Sequence, residues 1–193
     1  AAARQSVSLL AEKFIKTTED ENGSLQAVRF EHENSYNFAF DTVDAIAENY
    51  PDKLAMLHID KNHIERRFTF KDMKRASAQT ANYFKSLGIK KGDMVMLILK
   101  RHYEFWFSII ALHKLGAVTI PATPLLTKKD VVYRCNSAKI KMIVCADDDV
   151  VTKHIEDSLS ESPTVKAIVV DRGEKEGWHS FEKGVEAASD VFE

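Results

Sequence analysis

Between residues 94 and 170 the sequence alternates short, continuously apolar runs with stretches of helical periodicity, and few folds accept that pattern. Residues 94–99 contain no polar side chain, and 117–120, 141–145 and 165–170 are nearly as apolar. A strand that is apolar at every position is covered on both faces, as in a parallel sheet with helices on each side. The intervening segments 103–115, 128–137 and 150–159 are long enough for the crossover helices that parallel strands require. In 103–115 two apolar rows, Phe105-Ile109-Leu112 and Trp106-Ile110, predict a helix with little exposed surface. The fold class is therefore α/β, a doubly wound, mostly parallel sheet flanked by helices.

Upstream the pattern changes. Residues 54–59 and 65–70 read as strands joined by Asp60-Lys61-Asn62-His63, an antiparallel hairpin near the N-terminus. Thr69 starts a long helix whose apolar face is Met73, Ala76, Thr80, Ala81, Phe84 and Leu87, and Gly88 ends it. Asp41 is the expected N-cap of a helix carrying Val43, Ile46 and Ala47, stopped before Pro51. The polar stretch 18–37 reads as a loop. Before it, Val7, Leu10, Ala11, Phe14 and Ile15 follow helical spacing, read as a docked surface helix in preference to a transit peptide. The expected division is an N-terminal helix and lead-in over 1–36 and one folded unit over 37–193, with a last short helix at 185–192.

Charge and cysteine content exclude several function classes. Lysine and arginine number 27 against 29 acidic residues, and no basic run exists, so nucleic acid is not an expected partner. The most apolar region, 103–126, is interrupted by His113 and Lys114 and broken by Pro121 and Pro124, which rules out a transmembrane helix there. Cys135 and Cys145 are too few and too poorly spaced for a zinc site or a disulfide framework and read as reduced, buried thiols.

No motif names an active site. No Gly-x-Gly-x-x-Gly or Gly-x-x-x-x-Gly-Lys-Ser/Thr follows any strand, and Gly88 and Gly92 read as a helix cap and a turn. The seven histidines lack metal-ligand spacing, and no Gly-x-Ser-x-Gly elbow is present. Glu104 and Asp93 have no visible partner and read as cap or surface carboxylates. No catalytic residue and no metal ligand is assigned.

What stands out is ordered structural punctuation: Phe68-Thr69-Phe70-Lys71-Asp72-Met73, Leu87-Gly88-Ile89-Lys90-Lys91-Gly92-Asp93-Met94-Val95, Glu104-Phe105-Trp106, Ala111-Leu112-His113-Lys114-Leu115-Gly116-Ala117-Val118, then Ile120-Pro121-Ala122-Thr123-Pro124. This series resembles the N-terminal subdomain of the adenylate-forming superfamily: acyl-CoA synthetases, luciferases and peptide-synthetase adenylation domains. Phe70 stands where the family favours tyrosine, and His113 is an insertion in its Leu-Lys-x-Gly-Ala element. Tyr36-Asn37-Phe38-Ala39-Phe40-Asp41 looks like the start of the medium-chain acyl-CoA and acetyl-CoA synthetase branch. The resemblance covers 36–170.

The resemblance implies a ligase that joins a carboxylic acid to AMP with release of pyrophosphate and then passes the acyl group to CoA. It implies ATP, Mg²⁺ and CoA as cofactors of the full-length enzyme. It also implies that the family's Pro-Lys phosphate loop, aromatic-Gly-x-Thr-Glu element, ribose-binding aspartate and C-terminal lysine lie beyond this sequence, which contains none of them. The chain by itself is therefore expected to be inactive and to bind no cofactor tightly. Leu125, in the loop after the 117–120 strand, and Lys153, early in the 150–159 helix, are the candidate CoA contacts; Lys90, Lys91, Lys128 and Lys129 read as surface charge. The expected location is the cytoplasm, or the mitochondrial matrix in a eukaryote, and homo-oligomerisation is left open. Two readings stand as alternatives: a non-catalytic interaction module, and a small nucleotide-binding α/β protein.

Overall fold

The computed structural model describes residues 13–31 and 34–192. Its centre is a five-stranded, all-parallel sheet in the order β6-β5-β7-β8-β9, made of β5 (Met94–Ile98), β6 (Val118–Pro121), β7 (Ile140–Ala146), β8 (Ala167–Asp171) and β9 (His179–Ser180). Successive side chains of a strand point to opposite faces, and each face of this sheet is covered. Val95 and Leu97 of β5 pack with Met142, Val144 and Val169 beneath Tyr83, Phe84, Leu112 and Phe181. Met96 and Ile98 pack with Ile143 and Cys145 beneath Val131, Cys135, Val151 and Ile155. The first layer comes from α2 (Phe70–Ser86), α3 (Glu104–Leu115) and α6 (Phe181–Glu186), the second from α4 (Lys128–Ala138) and α5 (Asp149–Ser158). Two-sided burial is why these strands read as unbroken apolar runs.

The helix starts are written locally. Thr69 caps α2 and Thr127 caps α4, each in a reciprocal box with the aspartate three residues on, Asp72 or Asp130. Gly116 ends α3 at φ 66°, and an added Cβ would sit 3.0 Å from Lys91 Cγ, so a side chain there meets both strain and a neighbour.

The hairpin of β3 (Leu54–Ile59) and β4 (Glu65–Thr69) is antiparallel, as the sequence predicts. With a third apolar cluster of Ala39, Val43, Met73, Phe107 and Ile110 it closes the N-terminal side of α2 and α3. Cys135 and Cys145 are free and fully buried, and burial pushes both thiols up, that of Cys145 to about 12. Among the described residues no helix is long and apolar enough to cross a membrane.

Several expectations change. Val7, Leu10 and Ala11 lie outside the described residues, and Ile15 belongs to a strand. The expected loop 18–37 is in large part an antiparallel hairpin, β1 (Ile15–Glu19) with β2 (Leu25–Phe30), exposed along both strands. Asp41 is not the cap of the next helix. Asn37 takes that place, accepting from Ala39 N, and a π-helical stretch, Phe38–Asp44, precedes the short α1 (Ala45–Asn49). In α3 the buried aromatic is Phe107, whereas Trp106 is 51% exposed. The last helix starts four residues earlier than expected, because Ser180 caps it and Phe181 inserts into the core.

Candidate functional site

Open parallel sheets offer ligands a crevice where neighbouring strands send their chains to opposite faces. Here β5 and β7 are neighbours; β5 continues into α3 on one face and β7 into α5 on the other. The switch point therefore lies between the turn at 99–103 and the turn at 147–148. Lys100 takes the left-handed conformation at φ 51°, uncommon for a residue with a side chain. Its Nζ is 2.5 Å from Asp148 Oδ2. The other carboxylate oxygen of Asp148 accepts from the backbone N–H groups of Val150 and Val151, each at 3.1 Å, and so starts α5. Lys100 and these amides hold the Asp148 carboxyl below its usual range.

Beside this crevice four ionisable residues converge. His102 Nδ1 lies 2.6 Å from Asp171 Oδ2, at the carboxyl ends of β5 and β8. Arg172 grips Glu104 with two bonds, Nη2 to Oε2 at 2.7 Å and Nε to Oε1 at 3.2 Å. Its guanidinium stacks over the Tyr103 ring, 4.7 Å from the centroid. Asp171 is fully buried, and desolvation raises its carboxyl to about 7 against the hydrogen bond from His102, which lowers it. One donor atom from each of His102, Glu104 and Asp171 lies within 4.8 Å of the others. Glu104 is thus neither a surface carboxylate nor unpartnered: it is 5% exposed and ion-paired. Asp93 lies in the turn before β5, accepting from Lys90 N and pairing with Lys141. Histidine and aspartate 69 residues apart carry no spacing signal, so this cluster could not be read from the sequence.

The candidate CoA contacts sit on two touching segments. Leu125 is 85% exposed in the loop after β6, and the carbonyl of the next residue, Leu126, is 2.9 Å from His154 Nδ1 on α5. Lys153 precedes that histidine and is exposed; its Nζ lies 2.9 Å from Asp157 Oδ2 one turn on. Lys128, read as plain surface charge, is ion-paired with Glu161 at 2.6 Å. Three cations along this edge are ion-paired: Lys100 with Asp148, Arg172 with Glu104, Lys153 with Asp157. A triphosphate needs converging cations without such partners, and these residues do not fit one.

The AMP-binding enzyme family model matches residues 43–191. The chain belongs to the AMP-binding enzyme family. Among curated relatives it is 29% identical over 161 residues to the mitochondrial acyl-coenzyme A synthetase ACSM5 of Rattus norvegicus, covering 80% of this chain and 28% of that protein. It is 30% identical over 162 residues to the mitochondrial acyl-coenzyme A synthetase ACSM3 of Homo sapiens, covering 80% of this chain and 27% of the relative. The chain thus spans under a third of the length of the relatives it matches. Its fold is that of the anthranilate CoA ligase AuaEII, solved in complex with anthranoyl-AMP, with a TM-score of 0.69 at 24% identity over 82% of this chain and 29% of that one. The acyl-CoA synthetase of Brucella canis gives the same TM-score at 23% identity, over 83% of this chain and 29% of that one. The parallel sheet and the helices that cover it, 70–186, fall wholly within the matched region.

Proposed function

We propose that this chain is the N-terminal part of an AMP-forming acid–CoA ligase, which activates a carboxylic acid with ATP and Mg²⁺ and transfers the acyl group to CoA. The observation that carries it is the family match over 43–191, joined by relatives named as acyl-coenzyme A synthetases. It leaves little support for a non-catalytic module or a small nucleotide-binding protein. The role of this part is scaffolding. Adenylation demands donors and cations aimed at the pentavalent phosphorus and the departing pyrophosphate, and loss of one such group costs orders of magnitude in rate. Lys100 and Arg172 at the carboxyl edge are already ion-paired, so this part supplies walls and not the phosphate grip. The mitochondrial names of the relatives support the matrix as the working compartment.

Within the same reading, Leu125 and Lys153 face CoA. The exposed leucine offers an apolar contact, and Lys153 exchanges Asp157 for a phosphate, a stronger partner for an ammonium group. The test compares the 193-residue chain with a longer one carrying the following region. Pyrophosphate exchange is expected only from the longer chain, with a carboxylic acid present. In that longer chain Lys153→Ala raises KM for CoA and leaves acyl-adenylate formation unchanged. Exchange by the 193-residue chain alone overturns the division of labour, and no exchange from the longer chain with any acid of a broad panel overturns the ligase reading.

A further inference from the structure

The cluster at the ends of β5 and β8 holds more acid than its own cations balance. Asp171, Glu104 and Glu182 gather around a single permanent cation, Arg172; the Glu182 carboxylate accepts from Arg172 N at 2.8 Å and lies beside Asp171. Asp171 carries the sharper signal. Its side chain is 0% exposed, Oδ2 faces His102, and Oδ1, with the Glu182 carboxyl beside it, accepts from no N–H or O–H donor. A buried carboxylate oxygen without a partner is costly, and native proteins satisfy such atoms with a donor, a water or an ion.

The donors around that oxygen have the composition of a metal site. His102 offers an imidazole nitrogen, and Glu104 and Asp171 offer carboxylate oxygens, all within 4.8 Å of one another. An ionised carboxylate accepts about four hydrogen bonds or ligands. Arg172 uses two positions on Glu104 and fixes its orientation, as outer-shell partners do for ligating carboxylates. One nitrogen and two oxygens suit zinc-class cations, which take three protein ligands and a water, better than magnesium, which keeps an oxygen-only octahedron. The His102 side chain, 22% exposed, leaves an open side for entry and for the water.

We propose that His102, Glu104 and Asp171 bind a divalent cation of the zinc class at the carboxyl end of β5 and β8, with Arg172 holding Glu104 in place. The site is independent of the ligase reading, and its test reads metal binding and not acyl transfer. The purified protein is stripped with a chelator, then titrated with Zn²⁺ by calorimetry and with Co²⁺ by visible absorption. One equivalent is expected, with a Co²⁺ ligand-field band typical of low coordination and no displacement by excess Mg²⁺. Asp171→Asn and His102→Gln each weaken binding by roughly 10- to 100-fold. His102 is partly exposed, so its variant keeps the test open if Asp171→Asn does not fold. Absence of a bound equivalent, or unchanged affinity in the folded His102→Gln protein, overturns the assignment.

Discussion

Lys114, in the last turn of α3, makes a buried ion pair with Asp44, 70 residues earlier at the end of the π-helical stretch. The two side chains are 1% and 11% exposed. Burial lowers the lysine against the pull of Asp44, and its ammonium also sits 4.8 Å above the Phe40 ring. Beside it, Asn37 Nδ2 donates to the His113 carbonyl at 2.7 Å. These contacts fasten the segment before the sheet to the helix after β5.

Removing one partner of a buried pair strands the other charge, which costs more than the pair contributes. Lys114→Met is therefore expected to lose roughly 3–5 kcal/mol in urea unfolding. The double variant Lys114→Met with Asp44→Leu recovers most of that loss, since neither charge is left alone. A single variant as stable as the parent would show that the pair is not buried.

His113 gives the pH dependence. Its Nδ1 is buried without a partner, and burial lowers its pKa from the ordinary 6.5. The folded protein then keeps the ring neutral where the unfolded chain protonates it, so stability is lost as pH falls below 6.5. His113→Gln should flatten that part of the curve of unfolding midpoint against pH. An identical slope in both proteins places the acid sensitivity elsewhere.

The two reciprocal caps are expected to matter equally. Thr69→Ala and Thr127→Ala each remove an oxygen that accepts from the third helical N–H, at 3.2 and 3.4 Å, and each costs about 1 kcal/mol. Thr127→Ala also loosens the loop that carries Leu125. Hydrogen exchange read at the first turns of α2 and α4 separates the two effects.

The thiols make a kinetic prediction. The Cys145 thiol is pushed up to about 12 by burial and by Asp147, Asp171 and Asp148, and burial also raises Cys135. Only thiolates react quickly. Neither cysteine should be alkylated in the native protein at neutral pH, and both should react together on unfolding. Fast labelling of either one in the native state would contradict the packing of α4 against β7.

Two turns illustrate what sequence reading sees. Asp60-Lys61-Asn62-His63-Ile64 joins β3 to β4: Asp60 Oδ1 accepts from the backbones of Asn62 and Ile64, and His63 takes φ 60°. Asp20-Glu21-Asn22-Gly23-Ser24 does the same between β1 and β2, with Asp20 Oδ1 accepting from Asn22 and Ser24 and Gly23 at φ 78°. The first turn is legible because Leu54 and Met56 flank it with an apolar run. The second is hidden because its strands are exposed along their whole length and lack the apolar run that marks a strand.

The alternating apolar strands, the helix start at Thr69 and the left-handed Gly88 after α2 are properties of neighbouring residues, and the sequence by itself determined them. Burial on both faces writes itself into every position of β5 and β7, and a cap needs only a threonine and an aspartate three residues apart. Which charges meet was decided by the tertiary structure alone. Lys114 with Asp44, Arg172 with Glu104 and His102 with Asp171 are separated by 70, 68 and 69 residues. A parallel sheet places the ends of distant strands side by side, and that proximity leaves no periodicity in the chain to read.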